Sequence, residues 1–219
     1  MTDLQTSPVA IECAAAKVTL PGDLTLPNDP VGLVIFAHGS GSSRLSPRNT
    51  MVARSLAERG FATLLFDLLT EAEAMDRRNV FDIPLLADRV VDAVGWAKSD
   101  PRVKRLPVGL FGASTGAAAA LVAAAQVPGD VAAVVSRGGR PDLADTALPQ
   151  VQAATRLVVG GADHGVIELN EAAYQRLTCE TRLDIVPGAT HLFEEPGALE
   201  AVVDLAAAWF RDHFAATDT

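Results

Sequence analysis

The stretch GLFGASTGAAAALVAAA, residues 109–125, changes character at Ser114. Before the serine lies an apolar run of strand length, Val108–Ala113. After it comes a segment dominated by alanine, the strongest helix former. Gly112 and Gly116 stand two residues to either side of Ser114. A strand that turns at once into a helix crowds the neighbouring chain, and glycine removes the Cβ atoms that would collide. The serine is then left at the carboxyl end of the strand, facing the positive end of the helix that follows. That helix, 115–126, is apolar all round, so it should be buried.

Outward from this unit the chain alternates in the same way. VGLVIFAH (31–38) and FATLLFD (61–67) are near-continuous apolar runs, the mark of strands buried on both faces. VAAVVSR (131–137), TRLVVGG (155–161) and TRLDIVP (181–187) read as three more strands. Helical spacing recurs at 47–59, with Val52, Ala53 and Leu56 on one face and Gly60 as the stop. It recurs at 83–97, through Ile83, Leu86, Val90, Val94 and Ala97, and at about 168–178. The last helix, about 196–214, should open at Pro196 and turn Leu199, Val202, Val203, Ala206 and Phe210 inward. KVTLPGDLTLP (17–27) reads as a hairpin that turns at Pro21-Gly22-Asp23, and 68–82 as loop. Strands alternating with helices predict an α/β fold with a mostly parallel central sheet and helices on both faces.

The chain has 219 residues, 49% of them hydrophobic and 21% charged, enough for one sizeable core. Residues 1–219 are read as a single domain. The net charge of −9 opposes nucleic acid binding, since phosphates would meet a like-charged surface. The N-terminus lacks a cationic segment followed by an apolar one, and no apolar run reaches the roughly 18 residues of a membrane span. Cys13 and Cys179 are far apart and have no metal-ligand spacing. These features predict a cytoplasmic protein with no metal held by its cysteines and no nucleic acid or membrane partner, and homodimerisation stays open.

A serine hydroxyl needs a base to take its proton before it can attack. Four histidines are available: His38, His164, His191 and His213. His191 sits in PGATHLF, a loop just after the strand TRLDIVP, from which an imidazole can reach a serine at the same sheet edge. His38 ends its strand, His164 adjoins an acid, and His213 lies in the last helix. The base in turn needs a carboxylate to fix its tautomer. Asp163, after RLVVGGA, is placed for this, and Asp142 and Asp145 on a neighbouring loop are its rivals. The order Ser114, Asp163, His191 is the Ser, Asp, His order of α/β-hydrolases.

The motifs HGSGSS (38–43), GASTG (112–116), GGADHGV (160–166) and PGATHLF (187–193) together resemble the dienelactone-hydrolase-like group of α/β-hydrolases. The resemblance covers nearly the whole chain. It extends to the hydrolase-like domain that some bacterial proteins carry fused to a phosphoribosyltransferase. It implies a hydrolase that needs no metal or organic cofactor and acts on a small-molecule ester, and the shortness of segments 68–82 and 141–150 implies a minimal cap. The resemblance also implies an oxyanion hole built from the backbone N–H of Thr115 and one from Gly39 or Ser40. Dienelactone hydrolases place cysteine at the elbow, whereas this chain has Ser114, which favours a serine esterase over the dienelactone reaction.

SRGGRPD (136–142) adds one more candidate. Arg137 directly follows a strand, at the ligand-binding edge of the sheet. Its planar fork suits an anionic group on a substrate, or it pairs locally with Asp142 or Asp145. The segments 68–82 and 141–150 are expected to shape the substrate pocket.

Overall fold

The computed structural model describes residues 3–215. Its strands are β1 (Gln5–Cys13), β2 (Val18–Leu26), β3 (Leu33–Ala37), β4 (Ala62–Phe66), β5 (Val108–Ala113), β6 (Ala133–Arg137), β7 (Ala154–Gly160) and β8 (Thr181–Val186). The helices are α1 (Pro47–Ala57), α2 (Glu71–Ala74), α3 (Arg77–Val80), α4 (Ile83–Ser99), α5 (Thr115–Gln126), α6 (His164–Arg176) and α7 (Ala198–Ala215), with a kinked 3-10 segment at Pro141–Gln150. The eight strands form one sheet in the order β1-β2-β4-β3-β5-β6-β7-β8. β1 and β2 pair antiparallel, as do β2 and β4, and the remaining pairs are parallel.

The apolar stripes of the helices decide which face each covers. Leu86, Val90 and Val94 of α4 join the alanines of α5 in one core, on one side of the sheet. Val52 and Leu56 of α1 join Val202, Val203 and Phe210 of α7 in the other. α5 is buried from Thr115 to Leu121, as its composition predicts; alanine is small enough to let the helix lie close against β5 and α4.

Four expectations need correction. The N-terminal hairpin exists, but β2 runs straight through Pro21-Gly22-Asp23, and the turn is at 14–17, closed by Lys17 N–H to Ala14 O. Gly22 serves close packing, not a turn: a Cβ there would fall 3.0 Å from Val9 Cγ2 and 3.2 Å from Leu65 O. Segment 68–82 contains the two short helices α2 and α3. Thr70 and Glu73 form a capping box on the first, and Asp76 caps the second. α6 starts at His164, about a turn earlier than expected. α7 starts at Ala198, after Gly197 with φ +81°, rather than at Pro196.

Candidate active site

Ser114 lies between β5 and α5 with φ 52° and ψ −121°, a backbone conformation that costs free energy for any residue with a side chain. The two glycines beside it are required by contact. A Cβ at Gly112 would come within 2.4 Å of Ala117 Cα, and one at Gly116 within 2.2 Å of Ala37 O. The turn is held by Ala117 N–H and Arg140 N–H, which both donate to Ser114 O at 3.1 Å. The serine is therefore fixed at the carboxyl edge of the sheet.

His191 and Asp163 meet there. His191 Nδ1 lies 2.7 Å from Asp163 Oδ2, the geometry of an N–H donated to a carboxylate. Their loops can approach because Gly160 and Gly138 carry no side chains. A Cβ at Gly160 would lie 2.3 Å from Ala189 O, and one at Gly138, where φ is +50°, 3.1 Å from His191 O. Ser114 and His191 line a common cavity of roughly 230 Å³ with Gly39, Arg48, Asn49 and Arg137. They are not hydrogen-bonded to each other as they stand; such contacts commonly tighten only in the substrate complex.

The competing residues are engaged elsewhere. Asp142 pairs with Arg140 and Asp145 with Arg176. His213 is bonded to Trp209 O and Glu180. His164 is exposed at the start of α6. His38 is buried, with Nδ1 3.0 Å from Gly39 O and Nε2 accepting from Leu68 N–H at 3.0 Å. One nitrogen donates and the other accepts, so the ring is neutral. Burial holds its pKa below the ordinary value, against the hydrogen bond to Gly39 and the charge of Asp67. It ties the loop after β3 to the one after β4.

That loop after β3 lies against the serine: a Cβ at Gly39 would be 3.1 Å from Ser114 Cβ. The Ser40 N–H donates to Thr115 Oγ1 at 2.9 Å. A second cavity, of roughly 410 Å³, lies beyond Gly39, Ser40 and Ser42, against Leu68, Leu86 and the α2–α3 segment. Segment 68–82 thus lines a cavity beside the site.

Arg137 is buried, at 8% exposure, and meets neither Asp142 nor Asp145. Its Nη2 lies 3.4 Å from Asn49 Oδ1, and its Nε and Nη1 have no partner. Burial, reinforced by the charge of Arg48, pushes the guanidinium down to about 10. Sequence reasoning missed Asn49. Its signal was a polar residue one turn before Val52, on the buried stripe of α1.

Residues 20–214 match the dienelactone hydrolase family. The chain belongs to that family. A dienelactone hydrolase from Anabaena variabilis has 54% sequence identity and a TM-score of 0.92, over 96% of this chain and 98% of the other. Est1E from Butyrivibrio proteoclasticus shares the fold, with a TM-score of 0.79 at 18% identity over 95% of this chain and 99% of that one. Two Mycobacterium tuberculosis proteins, from strains CDC 1551 and H37Rv, are 58% identical over 203 residues, 93% of this chain. They are provisionally named phosphoribosyl transferases, and the chain spans only 46% of their length. Membership of the family makes the chain a hydrolase with an α/β-hydrolase fold. Among the described residues, no helix is long and apolar enough to cross a membrane.

Proposed function

We propose that this hydrolase cleaves carboxylic esters through an acyl-enzyme, with Ser114 as nucleophile, His191 as base and Asp163 as its orienting acid. The observation that carries the reading is the 2.7 Å contact between His191 Nδ1 and Asp163 Oδ2. It directs the other ring nitrogen, Nε2, to act as base in the cavity that Ser114 lines.

His191 Nε2 takes the Ser114 proton as Oγ attacks the ester carbonyl. The negative charge that develops on the carbonyl oxygen meets the N-terminus of α5, where the Thr115 N–H has no intrahelical acceptor. Gly39 supplies the second donor in this reading, because the Ser40 N–H is already given to Thr115 Oγ1. His191 then protonates the leaving oxygen. Water, activated by the same imidazole, releases the acid and restores Ser114.

The test is turnover of p-nitrophenyl esters, a lactone and a thioester by the wild type and by Ser114→Ala. The variant should lose essentially all ester hydrolysis while its circular dichroism spectrum is unchanged. A fluorophosphonate probe should label the wild type at Ser114 and leave the variant unlabelled. Equal turnover by the two proteins would overturn the reading. A wild type that neither turns over any ester nor takes the label would instead favour a small-molecule-binding role for the fold.

A further inference from the structure

α5 is almost wholly apolar: between Thr115 and Gln126 its sequence is GAAAALVAAA. Thr115 is buried, and at its position alanine would serve the packing as well. A buried hydroxyl costs free energy unless it is hydrogen-bonded. The partner of Thr115 Oγ1 is the Ser40 N–H at 2.9 Å, on the loop after β3 and 75 residues away in the chain.

The same peptide group is held at its other end. Gly39 O accepts from His38 Nδ1 at 3.0 Å and from the Ser42 N–H at 3.2 Å. The His38 ring is fixed in turn by the Leu68 N–H on its Nε2. Both polar groups of the peptide that joins Gly39 to Ser40 are therefore gripped, and a planar peptide held at both is fixed in orientation. This segment needs such a grip. HGSGSS has glycine at 39 and 41, Gly41 has φ +68°, and Ser40, Gly41 and Ser42 are exposed. Glycine lets a neighbouring peptide plane turn over at little cost. Gly39 lies against the serine, where a Cβ on it would fall 3.1 Å from Ser114 Cβ. Rotation of the gripped plane would carry Gly39 with it and turn its N–H away from that place.

Resting on the esterase reading above, we propose that the Thr115 hydroxyl positions the oxyanion hole. The Thr115 N–H meets the developing charge directly. Its side chain aims the second donor, the Gly39 N–H, by holding the Ser40 peptide. One residue then sets the spacing of both donors. The effect belongs to the transition state. As Ser114 Oγ bonds to the carbonyl carbon, its proton passes to His191 Nε2 and a carbonyl electron pair moves onto the oxygen. Only then is there a charge for the donors to meet. A misaimed donor should lower kcat and leave KM nearly unchanged.

Three variants test this on p-nitrophenyl esters, each assayed well below its own melting temperature. Thr115→Val keeps the shape and loses the acceptor. Thr115→Ala loses the acceptor without pressing a methyl group against the loop, so the test survives a poorly folded Thr115→Val. Both should lose about 10-fold or more in kcat, with KM within about twofold of the wild type. Thr115→Ser restores the hydroxyl and should recover most of the loss. A second measurement separates aim from packing. A trifluoromethyl ketone analogue of the ester adds to Ser114 as a hemiketal with a negative oxygen, whereas the matching secondary alcohol binds without bonding. Thr115→Val and Thr115→Ala should weaken the ketone by about the factor lost in kcat and leave the alcohol unchanged.

Unchanged kcat in Thr115→Val and Thr115→Ala, an equal loss in Thr115→Ser, or equal weakening of ketone and alcohol would overturn the proposal and leave the esterase reading standing. Absence of Ser114-dependent hydrolysis in the wild type would sink both.

Discussion

Ser114 is held at φ 52° by the packing around it, and that strain is relieved only by losing the side chain proposed as the nucleophile. Ser114→Gly should therefore be about 1–2 kcal/mol more stable than Ser114→Ala in thermal or urea denaturation, and in the proposed mechanism both should be inactive. Equal stabilities would mean the turn is unstrained. In the proposed triad Asp163 acts through His191, so Asp163→Asn should cut kcat by about 1000-fold or more by fixing the wrong tautomer, and Asp142→Asn should leave it nearly intact. His38 makes a separate, pH-dependent contribution to stability. Its folded pKa is depressed by burial, so as pH falls below about 6.5 the unfolded chain takes up the proton first. The unfolded state then binds more protons, and stability declines down to the lowered folded value; above that window the term is constant. The denaturation free energy should fall between pH 7 and pH 5 more steeply in the wild type than in His38→Asn. Parallel slopes would show that His38 charges freely in the folded protein.

The elements differ in how they are held. α2 and α3 contain no buried residue, yet they wall the larger cavity. Their anchor is Glu73, which accepts from the Thr70 N–H and hydroxyl and from Arg89 Nη2 at 2.7 Å, while its own carbonyl takes Asn79 Nδ2. Partial burial raises the Glu73 pKa, but the Thr70 hydrogen bonds and the Arg89 charge outweigh it and hold the carboxyl below its usual range. Arg89 is 2% exposed, so Glu73→Ala would leave a buried guanidinium without its counter-charge. It should cost about 3 kcal/mol and open 70–82 to limited proteolysis, with the rest of the chain protected. This anchor was not legible in the sequence, because it joins residues 16 positions apart across a segment with no apolar periodicity. The β5–Ser114–α5 unit was legible to the residue, since its signals are local: an apolar run, flanking glycines, alanines. The hairpin turn was misread because Pro-Gly-Asp satisfies turn chemistry as well as it satisfies a tight crossing against β4. Only the position of Leu65 O, a tertiary fact, separates the two. The candidate site was legible as far as chain order carries it, to the meeting of His191 with Asp163. Arg137 was placed at the sheet edge, but its lack of a carboxylate depends on Asp142 and Asp145 having Arg140 and Arg176 as partners.

Across the whole molecule, the aromatic cluster and the proposed chemistry occupy opposite ends of the sheet. Ser114, Asp163 and His191 follow the carboxyl ends of β5, β7 and β8. Near the other end, α7 drives an aromatic cluster against the start of β5. Phe210 stacks on Phe214 with centroids 5.6 Å apart and meets Phe61 edge-on at 6.3 Å. Gly109 makes room for it, since a Cβ there would fall 2.5 Å from Phe210 Cε1. Phe210 is fully buried, so Phe210→Ala removes a large apolar surface and leaves a cavity, at a cost of about 3–5 kcal/mol. In a chain of this size that corresponds to a fall in melting temperature of roughly 10 °C. Well below that temperature the variant should keep its kcat on a neutral ester within about twofold, because distant sites act independently. Ser114→Gly should show the opposite pair of effects, with stability gained over Ser114→Ala and kcat abolished. If Phe210→Ala lowered kcat as much as stability at a temperature where the protein is folded, the two ends of the sheet would be coupled through β5, and the separation argued from its topology would fail.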